Sequence, residues 1–176
     1  RHLMLRFTST QAAKAADAII TISSFSKRRL CEGLNLPADK ITVTYLAPQL
    51  ELVKSPSEDW TELKQRYNIQ EPYVVAFGGG AIHKNIPTLL RAFARVSHSL
   101  PHDLVFIGHL PPNVTISTFE KLGLQSRVVT TGYVPASHVA PLLGHADLFV
   151  LPSLYEGFGL PVLEAQQADV AVACST

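Results

Sequence analysis

The feature that most constrains this chain is a regular alternation, from Tyr73 to Cys174, of short apolar runs with longer segments of helical spacing. Short runs that are apolar throughout must be buried on both faces, and parallel strands covered by helices are the architecture that does this. The pattern predicts strands at 73–77, 104–107, 128–131, 148–151 and 170–174, with helices over 86–99, near 116–122, near 137–143 and from about Pro161. Five strands separated by helices give an α/β fold, a Rossmann-like doubly wound parallel sheet rather than a barrel. Leu89, Leu90, Phe93 and Val96 share one helical face and are expected in the core, as is Trp60; Pro141 is expected to weaken the helix that contains it.

Upstream, the spacing predicts a helix over 7–16, a strand at 18–23, a helix over 25–32 capped by Ser23 or Ser24 and ended by Gly33, and a strand at 41–45. Between Ala47 and Asp59 the residues Pro48, Ser55, Pro56, Ser57, Glu58 and Asp59 cannot build a buried element and suit a connector; a short helix over 60–67 follows. The expected organisation is therefore the C-terminal part of one Rossmann-like domain in residues 1–52, a linker at 53–59, and a second domain from 60 to 176.

Composition narrows the function classes. With 47% apolar and 16% charged residues the chain is too hydrophobic for disorder. Fifteen Lys and Arg against fourteen Asp and Glu leave a net charge of +1, so no global field draws the protein to nucleic acid, and a charged ligand must be held locally. The longest apolar runs, around Val74 and Phe149, fall short of the roughly 20 residues that cross a bilayer. Cys31 and Cys174 form no Cys-x-x-Cys and are expected to be reduced and buried, as in an intracellular protein. The sequence starts at Arg1 and stops at Thr176 directly after an apolar run, and both ends are expected to be cut from a longer chain.

In an open α/β sheet, ligands bind beyond the carboxyl ends of the strands. Two of the segments found there are unusual. The first, Gly78-Gly79-Gly80-Ala81-Ile82-His83-Lys84-Asn85, joins glycines, a lysine and a helix start, a combination that suits an anion; it matches neither G-x-G-x-x-G nor the P-loop. The second runs from Pro152 to Ala165. In it Gly157 and Gly159 leave the backbone exposed, Pro161 fits the first helical position, and the free N–H groups near Gly159 and Leu160 point into the crevice. Glu156 and Glu164, with seven residues between them, have the spacing to lie along one bound ligand; a carboxylate accepts from paired sugar hydroxyls and stabilises developing positive charge. Each acid taken alone has a plainer reading, Glu164 as a partner of the helix dipole and Glu156 as a solvated surface charge.

Together these residues resemble a known family. Glu156-Gly-Phe-Gly-Leu-Pro-Val-Leu-Glu164-Ala is similar to the E-x7-E signature of retaining glycosyltransferases of family 4, the glycosyl transferases group 1 with the GT-B fold. Ala16-Asp17-Ala18-Ile19-Ile20-Thr21-Ile22-Ser23 with Phe25-Ser26-Lys27 resembles the segment that closes the family's first domain. Lys84-Asn85, Gly132-Tyr133-Val134 and Ala146-Asp147-Leu148-Phe149-Val150 with Pro152-Ser153 resemble three further motifs, in the same order.

The resemblance implies a catalytic pair, Glu156 beside the transferred sugar and Lys84 on the donor's diphosphate. It further implies donor contacts from Gly78 and Gly79 near the diphosphate, from the backbone around Tyr133 and Val134 at the nucleobase, from the backbone of Gly157, Phe158, Gly159 and Leu160, and from Glu164 at the ribose hydroxyls. It implies no cofactor and no metal, a nucleotide-diphosphate sugar as donor substrate, a glycan or lipid-linked acceptor, a cytoplasmic location, and peripheral membrane contact as an option for the whole protein. His83 stands where the family often has Arg, which lowers the positive charge offered to a diphosphate unless the imidazole is protonated. The family's acceptor site and the histidine of its first domain would lie upstream of Arg1, so residues 1–176 alone are expected to transfer no sugar.

Other readings stay in view. A nucleotide-binding or interaction module without chemistry would keep the fold and make both glutamates structural, and an epimerase or phosphorylase of the same fold fits the Gly-Phe-Gly-Leu-Pro run less well. His98 and His102 are separated by Pro101 and are read as surface residues, not a metal pair; the basic faces with Lys27, Arg28, Arg29, Arg91 and Arg95 are read as solvated.

Overall fold

In a computed structural model, residues 2–48 and 60–175 are described. The expected linker at 53–59 lies outside them. The chain divides into two compact units, one made of residues 1–47 with Gly157–Gly159, the other of Pro48–Glu156 and Leu160–Thr176.

The smaller unit carries α1 (His2–Ala15), β1 (Ile19–Thr21), α2 (Ser24–Leu34) and β2 (Ile41–Val43). β1 and β2 pair in parallel, Ile19 opposite Ile41 and Thr21 opposite Val43. Ser23 is the cap of α2, its hydroxyl accepting from the Ser26 N–H at 3.0 Å. Gly33 does not end this helix. Asn35 does, at φ 51°, with its N–H returned to the Cys31 carbonyl, and Leu36 beyond it turns into a buried position. Asn tolerates the left-handed conformation because its short polar side chain suits such turns, so the apolar anchor after it decides the stop. Within the same unit the carbonyl of Gly157 accepts the hydroxyls of Ser23 and, at 3.2 Å, Ser26.

The larger unit contains α3 (Trp60–Arg66), β3 (Tyr73–Phe77), α4 (Ile86–Val96), β4 (Asp103–Ile107), α5 (Ile116–Leu122), β5 (Val128–Thr130), α6 (Ala136–Gly144), β6 (Leu148–Leu151), α7 (Leu160–Gln167) and β7 (Ala171–Cys174). The five strands form one parallel sheet in the order β5-β4-β3-β6-β7. β3 is central, with Val74 between Leu104 on one side and Leu148 on the other. Alternate residues of β3, β4, β5 and β6 feed two cores. Val74, Ala76, Leu104 and Phe106 pack with Ile86, Leu89, Leu90 and Phe93 of α4, while Tyr73, Val75, Val105 and Phe149 pack with Leu142 and Leu143 of α6 and Ala165 of α7. Burying each large side chain contributes about 1.5–3 kcal/mol, so the two layers fix the sheet between them.

Several expectations need correction. Val96 is 43% exposed, since α4 stops there and its last turn leaves the sheet. Trp60 is only partly buried, packed on the core edge and stacked on His145 at 4.1 Å. Pro141 sits inside α6 without breaking it. Proline has no N–H to donate to the Ser137 carbonyl one turn back, but Ser137 is exposed, and buried His138, Leu142 and Leu143 hold the helix down. Cys31 is half-buried and Cys174 exposed; both are free thiols, but neither is a core residue. Pro161 is the second residue of α7, not the first.

Candidate functional site

All five strands are parallel, so the loops after β3, β4, β5 and β6 open at one rim of the sheet. The chain fills the sheet outward from β3 through β4 to β5, then crosses to β6 on β3's other side and continues to β7. The order therefore reverses between β3 and β6, and the crevice at such a switch point is where these folds bind ligands. Lys84 follows β3 and Glu156 follows β6.

Their side chains meet. Lys84 Nζ lies 3.1 Å from Glu156 Oε1, with both side chains about one-quarter exposed or less. The same Oε1 accepts the hydroxyl of Ser153 at 2.7 Å, and Oε2 takes no partner among the described residues. Burial raises the Glu156 pKa, but the hydrogen bonds from Ser153 and Lys84 and the nearby charges of Lys84 and His83 outweigh it and leave the carboxyl below its ordinary value. Glu156 is an ionised carboxylate at neutral pH.

The two loops are stitched by their backbones as well. Asn85 Nδ2 donates to the Pro152 carbonyl at 3.0 Å and the Leu154 N–H to the His83 carbonyl at 2.8 Å, while the His83 ring stacks on Tyr155 at 5.0 Å. Asn85 stands at φ 54°, ending the 3₁₀ turn Ile82–Lys84 that presents Lys84, and α4 starts directly after it. Gly79, at φ 150°, is a position where a side chain is strained; its missing Cβ would stand 3.8 Å from the Lys84 Cγ. Gly78 is glycine for another reason. A Cβ there would come within 2.5 Å of the His109 carbonyl oxygen, so this residue lets the ends of β3 and β4 close on each other.

Glu164, on α7, differs from its neighbour in the motif. It is half-buried, its carboxyl has no hydrogen-bond or ion-pair partner among the described residues, and its pKa is raised by desolvation. Tyr133 is 82% exposed, whereas Val134 is packed against the core. The Gly132–Val134 loop is tied to the end of β4 through the Gly108 N–H, which donates to Thr131 Oγ1 at 3.1 Å. Gly157, Phe158 and Gly159 group with the smaller unit, Phe158 lying 6.2 Å from the Tyr45 ring. The structure thus joins Lys84 and Glu156 directly, with Gly79 beside the Lys84 stem, and among the described residues gives no hydrogen bond or ion pair between them and the Glu164 side chain. Sequence reasoning missed the work of Ser153 and Asn85. Both stood in quoted motifs, but nothing in their spacing says which atoms they bind. Among the described residues no group of three His, Cys, Asp or Glu side chains is placed to hold a metal ion, and no helix is long and apolar enough to cross a membrane.

A doubly wound parallel sheet with a cation and a carboxylate paired at its switch point defines a class by fold, the Rossmann-like α/β proteins. The comparisons refine it. Residues 71–176 match the family model described as glycosyl transferases group 1, and the chain belongs to that family. It is 32% identical over 170 residues to the O-antigen chain mannosyltransferase B of Escherichia coli, covering 94% of this chain and 45% of that protein. It is 33% identical to the MMP alpha-(1->4)-mannosyltransferase of Mycolicibacterium hassiacum, covering 94% of this chain and 38% of that one. Among solved structures, Anabaena Alr3699/HepE in complex with UDP-glucose superposes with a TM-score of 0.77 at 20% identity, covering 96% of this chain and 48% of that one. The chain thus spans less than half the length of these proteins. Its fold is that of the GT-B glycosyltransferases, as the motifs led one to expect.

Proposed function

We propose that the protein carrying this chain is a retaining glycosyltransferase that moves a sugar from a nucleotide-diphosphate donor to an acceptor hydroxyl on a glycan or a lipid-linked glycan. The observation that carries this reading is the Lys84–Glu156 pair, 3.1 Å apart at the switch point. A departing nucleoside diphosphate needs a cation, and a sugar with oxocarbenium character needs an anion; Lys84 and Glu156 supply both within one crevice. Glu156 Oε2 is free to face the sugar, since Oε1 is already engaged. Glu164 takes the ribose hydroxyls, and the backbone of Gly157 to Leu160 contributes further donor contacts. The backbone at Tyr133 and Val134 holds the nucleobase.

The mannosyltransferases among the relatives favour mannose as the transferred sugar, and the neighbour in complex with UDP-glucose supports a nucleotide-sugar donor. Lys84 and helix N-termini serve the diphosphate without a metal ion. The expected organisation, an acceptor-side part in residues 1–52 and a donor-side domain from residue 60, places the chemistry of this chain on the donor side, and residues 1–176 alone are expected to be inactive. The test is a turnover assay of the whole protein with GDP, UDP and ADP sugars, with the anomeric configuration of the product read by NMR. Transfer with retention supports the proposal; inversion, or no transfer with any donor, defeats it.

A further inference from the structure

We propose that Ser153 is a positioning residue for Glu156, whose hydroxyl keeps the carboxylate in place when a donor diphosphate draws Lys84 away from it. This rests on the donor-site reading above. Lys84 and Ser153 are the two groups that donate to Glu156 among the described residues, and both reach the same oxygen. Under the proposed function Lys84 also serves the diphosphate, a more highly charged anion that competes for the ammonium. Once that happens, Ser153 is the partner left. A glutamate has three side-chain torsions, and without a fixed donor its oxygen would swing toward solvent on the open side of the crevice.

Ser153 is built for the task. It is 4% exposed, and the strand end around it is fastened from several directions. The carbonyl before it, of Pro152, accepts from Asn85 at 3.0 Å; its own carbonyl accepts the Ser175 hydroxyl; the next N–H, of Leu154, is bound to His83 at 2.8 Å. The hydroxyl therefore leaves a rigid backbone at a fixed point, whereas Lys84 reaches Glu156 through a long flexible stem. One partner is fixed and one is exchangeable, which lets the same carboxylate be held both before and after the donor arrives.

The experiment compares wild-type, Ser153→Ala and Ser153→Thr forms of the whole protein. With a nucleotide-sugar donor, Ser153→Ala is expected to lower kcat by roughly 10- to 100-fold while the donor KM changes by less than about threefold, because a charge-assisted hydrogen bond is lost beside the reacting sugar and not at the diphosphate. Its acid limb should move to higher pH, and Ser153→Thr, which keeps the hydroxyl, should recover most of the rate. An activity-independent measurement separates this idea from the donor-site reading: titration of the Glu156 carboxyl by ¹³C NMR, assigned with Glu156→Gln, with and without added UDP or GDP. In Ser153→Ala the carboxyl pKa should rise; nucleotide, by drawing Lys84 away, should raise it in both forms, but wild type, which keeps the Ser153 hydroxyl, should stay below Ser153→Ala with and without nucleotide. If no donor is turned over and neither nucleotide binds, the donor-site reading fails while the nucleotide-free titrations still judge the hydrogen bond. An unmoved Glu156 titration in Ser153→Ala, or kcat within about twofold of wild type, would overturn the positioning role; so would equal losses in kcat by the Ala and Thr forms.

Discussion

Two glutamates eight positions apart on this chain are held in opposite ways. Glu156 is clasped by Lys84 and Ser153 and kept ionised, its pKa lowered even though burial works against it. Glu164 is half-buried on α7 with nothing to offset desolvation, and its pKa is raised. Carboxyls whose surroundings push their pKa values apart do different work. A carboxylate already compensated in the free protein is poised to act as a fixed charge, which suits a transition state carrying positive charge. An uncompensated carboxyl gains most when a ligand brings hydroxyl donors to it, which suits recognition of a sugar diol. Under the proposed function, this contrast gives one spacing motif two roles.

That contrast can be broken by experiment, most forcefully at Glu156 itself. Glu156→Gln keeps the shape and removes the charge, and is expected to reduce sugar transfer by the whole protein by about 10²- to 10³-fold with nucleotide affinity nearly unchanged; a variant within a few-fold of wild type would make the clasped carboxylate a structural feature only. Next comes its partner. Lys84→Met should weaken binding of UDP or GDP by roughly 10- to 100-fold in calorimetry, since a charge-assisted contact to phosphate is lost, and should raise the Glu156 pKa in the same sample.

Smaller effects test the frame that holds the pair. Gly78→Ala must displace the His109 carbonyl, which a Cβ would approach to 2.5 Å, and should destabilise the fold by about 1–3 kcal/mol in chemical denaturation. Gly80→Ala, where nothing lies within 4 Å, should be near neutral. The smallest effect separates the two acids by pH. Glu156, with a lowered pKa, contributes stability that is present above the unfolded-state value and is lost as pH falls through the folded one. Glu164, with a raised pKa, has the opposite sign, costing stability above its folded pKa and becoming neutral below the unfolded one. Glu164→Gln should thus raise the melting temperature at pH 7 by no more than about 3 °C, and Glu156→Gln should flatten the acid side of the stability profile.

The alternation of apolar runs and helical segments determined the sheet, because a strand buried on both faces must be apolar throughout and this is written locally; Tyr73–Phe77, Ile116–Leu122 and Leu148–Leu151 fall where the sequence puts them. The order of the motifs likewise pointed to the family and to Lys84 and Glu156 as residues worth watching. Helix ends and burial at the margins were less legible. Asn35 rather than Gly33 stops α2, Val96 leaves the core, and Cys174 faces solvent, since each depends on what packs beyond the element and not on the element itself.

Which atoms meet was decided by tertiary structure. Lys84 and Glu156 are 72 residues apart, and their contact exists because the chain reverses direction across the sheet between β3 and β6. The roles of Ser153 and Asn85 have the same origin, for a hydroxyl or an amide finds its partner only when two distant loops are brought to one rim. The sequence sets which residues can be charged or buried; the fold sets which charges are compensated, and that difference separates Glu156 from Glu164.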